Sequence, residues 1–318
     1  MDIATRRELL KSYRAAREQT MANPVGEATG RTYIPLPPEL AAAGRDAKGV
    51  AGFVRLFGMM LERSPVEVRP GELLVGDYYF LLPYEIIPFD DVLLDKTVGE
   101  LGAQPGVPSG HTAVNLPRGL ELGWSGLLAH IRRCREAFAE GSTEAKYLDG
   151  SAQVIALIQQ HIRAYGQEAL RLAEAESDQA QRAEYRAIAE RCARLAIEPP
   201  RTLHDALQWF WFWVTFERAT STGMGYGRLD QIFYPYYLRD REQGILDDLQ
   251  AQQLIEALFL KEPMFCSIGG ITADGQDAVN RLSYLVLDAY DAIGGPSNLV
   301  VRWHPDADPG LFERATTI

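Results

Sequence analysis

The sequence predicts an α/β chain in which a mainly helical part precedes a part where strands and helices take turns. Two observations carry this. Between about residues 117 and 200, apolar side chains recur at helical spacing with hardly an extended run among them. From residue 200 onward, extended, glycine-punctuated stretches alternate with amphipathic helices, as an α/β barrel would.

Taken in order, residues 1–20 read as one polar helix and residues 23–48 as a Pro/Gly-rich extended connection around Pro35-Leu36-Pro37-Pro38. Ala51 to Leu61 is a second helix. Alternation at Val66 and Val68, a Pro70-Gly71 turn and then Leu73-Leu74-Val75 predict two short strands. Pro117 suits a first helical turn, and Leu120, Trp124, Leu127, Leu128, Ile131, Cys134 and Phe138 fall on one face behind it. The next helix carries Val154, Ile158, His161, Ile162 and Tyr165 in a stripe. Another, opened by Asp178 with Gln181, turns Tyr185, Ile188, Ala189 and Cys192 inward.

Thr202 with Asp205 has the spacing of a capping box ahead of Leu207-Gln208-Trp209-Phe210-Trp211-Phe212-Trp213, a run so apolar that burial on every side is expected. Asp247 with Gln250 opens a further helix. Asp277 to Tyr290 is expected as a helix, Asn298 to Trp303 as a buried strand, and Asp308-Pro309 as the start of a last helix.

Bulk composition narrows the function. A length of 318 with 47% apolar residues is ample for a core, and a net charge of −11 without a Lys/Arg-rich run argues against nucleic acid. The N-terminus lacks the apolar stretch of a signal peptide. The most apolar run, Ala206 to Phe216, falls short of the ~20 residues a membrane span requires. Three cysteines without a Cys-x-x-Cys pair suggest neither a disulfide framework nor zinc. The expectation is a cytoplasmic protein that binds no metal.

The chain is organised around Thr222-Gly223-Met224-Gly225-Tyr226-Gly227-Arg228-Leu229-Asp230-Gln231. Alternate glycines allow positive φ and close approach to a ligand or a strand. A dinucleotide loop would need a strand before the glycines and a different third spacing, so that reading is set aside. With Glu217, Pro235-Tyr236-Tyr237 and Asp240, the stretch resembles glycyl radical enzymes of the pyruvate formate-lyase-like superfamily. Pro200 to Gln208, Ser267-Ile268-Gly269-Gly270 with Asp274-Gly275, Asn280 with Ser283-Tyr284, and Pro296 with the strand ending at Arg302 match the same pattern in the same order. A weaker likeness runs over 62–140.

The resemblance implies an N-terminal helical/extended segment, 1–60, and, over 61–318, the first half of a ten-stranded α/β barrel with outer helices. It also implies that the radical-carrying cysteine and the glycyl radical loop belong to a C-terminal part beyond this sequence. No cofactor would then be bound directly. A radical-SAM activating enzyme would install the radical, and the chain would need the missing half or a homodimer partner, since a half-barrel alone exposes sheet edges and an apolar face. The function so implied is the N-terminal portion of a radical lyase, dehydratase, decarboxylase or formate acetyltransferase acting on a small organic substrate. A non-catalytic scaffold or regulatory protein derived from the fold is the alternative.

By the same resemblance His111, in Gly110-His111-Thr112, faces the substrate or is a hydrogen-bonded structural histidine. Diol-dehydratase-like members carry a His-Ser pair just before Gly-Arg. Here Thr222 and Gly223 stand there, followed by Met224, and such small residues leave room for a bulkier substrate or for close backbone packing. Arg228 and Asp230 either clamp a substrate or fix the glycine loop. Gly269 and Gly270 shape the site's surroundings, and Arg302 would need a partner inside a buried strand. Cys134 and Cys192 read as small core residues; Cys266 has no base nearby in sequence.

Overall fold

The computed structural model describes residues 1–21, 37–47, 49–78, 114–220, 225–261, 265–295 and 298–318. Three helices come first: α1 (Ile3–Met21), α2 (Pro38–Asp46) and α3 (Gly49–Arg63). A helical layer follows, of α4 (Leu116–Arg135), α5 (Thr143–Ala175), α6 (Gln179–Leu195) and α7 (Leu203–Thr220). The remainder alternates: β1 (Gly225–Arg228), α8 (Leu229–Glu242), α9 (Asp248–Lys261), β2 (Phe265–Gly269), α10 (Arg281–Ala292), β3 (Asn298–Arg302) and α11 (Pro309–Thr316). The three strands form a parallel sheet in the order β1-β2-β3, with Phe265 opposite Asn298 and Gly269 opposite Arg302. The architecture is α/β, mostly helical, with helices connecting successive parallel strands.

Local chemistry sets the helix starts. Asp178 accepts from the backbone N–H of Gln181 at 2.7 Å, and Thr202 and Asp205 cap one another's backbone. Asp247 and Gln250 do the same at 2.8 Å in both directions. Asp205 also takes the Arg194 guanidinium at 2.6 and 2.9 Å. Burial works against its charge, but the Arg194 hydrogen bond and charge outweigh that and hold its pKa below the ordinary value.

α7 is the axis of the core. Trp209, Phe210, Trp211 and Phe212 are at most 1% exposed, as the aromatic run predicts, and each contributes roughly 2–3 kcal/mol by burial. One continuous core reaches from Leu10 of α1 through Phe57, Trp124, Ile162 and Phe210 to Leu311 of α11. α5 and α6 pack as a hairpin; a Cβ at Gly166 would lie 3.2 Å from that of Cys192.

Five expectations are corrected. Residues 64–78 contain no strand: the segment is a strap whose backbone bonds to side chains of α7 instead. Gln208 accepts from the Val75 N–H and donates to its carbonyl, both at 2.8 Å, His204 donates to the Leu73 carbonyl at 2.6 Å, and the Trp211 indole donates to that of Gly76 at 2.8 Å. These three side chains recur along one helical face, so a helix supplies what a neighbouring strand would. The extended connection expected over 23–48 holds α2, with Pro38 in its first turn. The helix expected from Asp277 begins at Arg281, because the Asn280 side chain caps it by accepting from Leu282 and Ser283.

Among the described residues β3 lies at the edge of the sheet and is not a buried strand: Val300, and Trp303 just after it, are each 58% exposed. Arg302 is likewise exposed and needs no buried partner. Finally, the apolar face of α4 does not run unbroken. Gly123 has φ 59°, where a Cβ would strike the Pro199 backbone at 2.8 Å, so the helix breaks there. Beyond the break Cys134 is only partly buried, and Phe138 is 41% exposed.

Candidate functional site

The expected substrate-facing residues His111, Thr222, Gly223 and Met224 lie outside the described residues; their chain neighbours do not. Val114 and Asn115, three and four residues past His111, lead into α4. Glu217, five residues before Thr222, is buried near the end of α7. These two approaches meet at one cavity of about 530 Å³ between α3, α4, α5 and α7. Its walls are aromatic: Phe53, Phe57, Trp124, Trp209, Trp213 and Phe216, with aliphatic Leu127, Val154, Ile155 and Ile158. The Trp124 and Trp209 rings stack at 4.7 Å. Among the described residues the polar side chains of the lining are Asn115, Arg118 and Glu217, and the indole N–H groups of Trp124 and Trp209 are buried without a hydrogen-bond partner. Glu217 is 8% exposed, and its carboxylate accepts from the Tyr226 hydroxyl at 3.4 Å.

The other expected residues gather at the far end of the sheet. Arg228, Gly269 and Arg302 are the last residues of β1, β2 and β3. Arg228 donates to the carbonyl oxygens of Gly269 (3.2 Å) and Ile271 (2.9 Å). Asp230 is fully buried in the first turn of α8, and one oxygen accepts from Gly269 N–H at 2.7 Å and Ser283 Oγ at 2.6 Å. Burial pushes its pKa up, against the pull of those two hydrogen bonds.

Gly269 and Gly270 take φ 68° and 87°; a Cβ on Gly269 would sit 3.0 Å from the Arg302 carbonyl oxygen, and one on Gly270 3.2 Å from the Arg302 side chain. Charged side chains and glycines together stitch β1, β2 and α10. Arg228 and Asp230 are thus committed to backbone and hydroxyl partners within the fold.

The thiols are poor nucleophiles by position. Burial pushes Cys192 and Cys266 up to about 12, with the nearby Asp230 charge adding to the effect at Cys266. Cys134 has an imidazole neighbour that the sequence reading passed over: His130 Nε2 is 3.8 Å from its sulfur. The aromatic cavity was also missed as a site. Its signal was the density of Trp and Phe in α7, which reads equally well as core.

Comparison with known proteins places these features in a family. Residues 94–318 match the model of pyruvate formate lyase-like proteins. Trans-4-hydroxy-L-proline dehydratase of Clostridioides difficile is 38% identical over 151 residues, 40% of this chain and 19% of the relative. The probable dehydratase YbiW of Escherichia coli K12 is 31% identical over 239 residues, 65% of this chain and 30% of that protein. Among solved structures, the B12-independent glycerol dehydratase of Clostridium butyricum superimposes with a TM-score of 0.77 at 19% identity, covering 98% of this chain and 49% of its own. A glycyl radical enzyme from Archaeoglobus fulgidus gives 0.76 at 19% identity, covering 98% and 50%. The chain therefore spans about half the length of the solved structures it matches.

Proposed function

The chain belongs to the pyruvate formate lyase-like family, and from that premise we propose that it is the N-terminal portion of a glycyl radical enzyme acting on a small organic substrate. The reaction is of the radical lyase, dehydratase, decarboxylase or formate acetyltransferase type, and it requires the other half of the protein. One observation carries this reading: 98% of the chain superimposes on a glycyl radical enzyme of which it fills only 50%. Residues 61–318 form the family-like part, one side of a ten-stranded barrel, and 1–60 a helical and extended lead-in.

A glycyl radical installed by a radical-SAM activating enzyme would supply, through the radical-carrying cysteine, hydrogen abstraction from an unactivated C–H bond. This chain's residues supply the surroundings. His111, Thr222, Gly223 and Met224 form part of the substrate wall. Arg228, Asp230, Gly269 and Gly270 hold the sheet ends at fixed spacing, with Arg302 beside them on the outer strand. The apolar, water-excluding walls of Trp209, Trp213 and Phe216 suit chemistry that must be shielded from solvent. The other half, or a second copy, is the partner. Cytoplasmic location fits the absence, among the described residues, of any helix long and apolar enough to cross a membrane.

The test is to read the source DNA beyond codon 318 and express the extended chain without oxygen beside its activating enzyme. The expected result is a glycyl radical signal in electron paramagnetic resonance. An extension without a glycine loop, or no signal where a control relative gives one, overturns the proposal and leaves a non-catalytic scaffold.

A further inference from the structure

The cavity between α3, α4, α5 and α7 belongs to no residue set that the resemblance implies. Its volume is about 530 Å³, within the range of small-molecule sites. An apolar cavity of about 150 Å³ already admits benzene, so the space takes two fused rings with room to spare. Six large aromatic side chains line it, and among the described residues its amide and charged groups stand on the helix ends, Asn115 and Arg118 at the start of α4 and Glu217 near the end of α7. A small polyol would leave most of the volume empty and its hydroxyls facing Trp and Phe rings, an arrangement that costs about 1–3 kcal/mol per unpaired group.

Resting on the reading above, we propose that this cavity receives the aromatic body of the substrate, with the substrate's polar end at the Asn115–Glu217 side. The substrate class is therefore a one- or two-ring aromatic compound carrying a polar substituent. The body lies against the stacked Trp124–Trp209 pair and the half-buried Trp213.

Calorimetric titration of the 318-residue protein with indole, and separately with glycerol, tests the assignment. Indole should bind saturably at one site, and glycerol should give no binding. Leu127→Trp and Val114→Phe, which fill the cavity from two half-buried positions, should each weaken indole at least tenfold. Ser151→Trp fills instead the neighbouring cavity of about 470 Å³ between α3 and α5, and should leave the affinity unchanged. Absence of saturable indole binding to folded protein overturns the proposal, as does equal affinity across the three variants or glycerol binding as tight as indole. Loss of indole binding in the DNA-extended chain also overturns it, because the added polypeptide then fills the space. None of these readouts depends on the radical signal, so failure of the aromatic site and failure of the family reading are told apart.

Discussion

Gln208 and Val75 bind each other twice: the side-chain amide accepts the Val75 N–H and donates to the Val75 carbonyl, both at 2.8 Å and both buried. An amide carries one donor edge and one acceptor edge, so it mimics the peptide unit of a neighbouring strand. This pair fixes the strap against α7.

Replacing Gln208 by Leu keeps the volume and strips both partners. The Val75 N–H and carbonyl are then buried without hydrogen bonds, at about 1–3 kcal/mol for each orphaned group. Urea unfolding should show a loss of about 2–4 kcal/mol, with the slope of the transition unchanged. A loss under 1 kcal/mol would mean that water replaces the amide.

Lys261 is held at 2.7 Å by Glu72 and 3.6 Å by Asp77, and donates to the Gly76 carbonyl at 3.1 Å. Lys261→Met leaves two buried carboxylates together beside Arg69. Breaking such a pair from one side costs about 3–5 kcal/mol. Combining it with Glu72→Leu and Asp77→Leu should recover most of the loss in thermal melts, since uncharged neighbours no longer repel.

Two histidines, the buried His161 and the partly buried His204, make the fold acid-sensitive. Burial lowers His161 from 6.5 to about 4, and burial lowers His204 to about 3 with help from the nearby Arg191 charge. Both side chains stay neutral when folded and take up protons when unfolded. Stability present above pH 6.5 is therefore lost as pH falls, each histidine contributing up to about 1.4 kcal/mol per pH unit. His161→Phe should show a shallower decline in urea midpoint between pH 6.5 and 4 than the wild type. Parallel curves would show that His161 does not titrate in this window.

Asp230 acts with the opposite sign. Its pKa is raised in the folded state, chiefly by burial, so its contribution is full below the ordinary value of 3.8 and declines as pH rises through the raised value. Asp230→Asn retains an acceptor for Gly269 and Ser283 and cannot ionise. The stability of wild type relative to this variant should fall as pH climbs from 4, read by melting temperature. A constant difference would show an unshifted carboxylate.

The three thiols should separate by access. Cys134, half-exposed beside His130, should react with a chromogenic disulfide reagent in the native protein, while Cys192 and Cys266 wait for unfolding. Reaction of all three at one rate in the native state would contradict the burial of the latter two.

What the sequence displayed was local. The boxes Thr202/Asp205 and Asp247/Gln250 were legible because both halves lie three residues apart, and the α7 aromatics because their number admits only burial. The strap misled because alternation at Val66 and Val68 implies a strand only if a strand stands beside it, and the actual partners are α7 side chains. Gly123 carries no local signal of its role; its reason is Pro199, reached only by folding α4 back on the chain before α7. Arg228 and Asp230 stood out as charges beside glycines, yet their partners Ile271 and Ser283 lie more than forty residues on. The cavity was invisible because packing leaves no trace in a pattern of apolar letters.

The strap's dependence on α7 also sets a schedule. Val75 emerges from the ribosome 133 residues before Gln208. At ~5–20 residues per second it waits on the order of ten seconds for its only backbone partner among the described residues. A strap built as a true strand would spend that interval as an adhesive edge. By drawing its hydrogen bonds from side chains of a helix not yet made, the segment has no sheet template to seek, and docks only when α7 arrives.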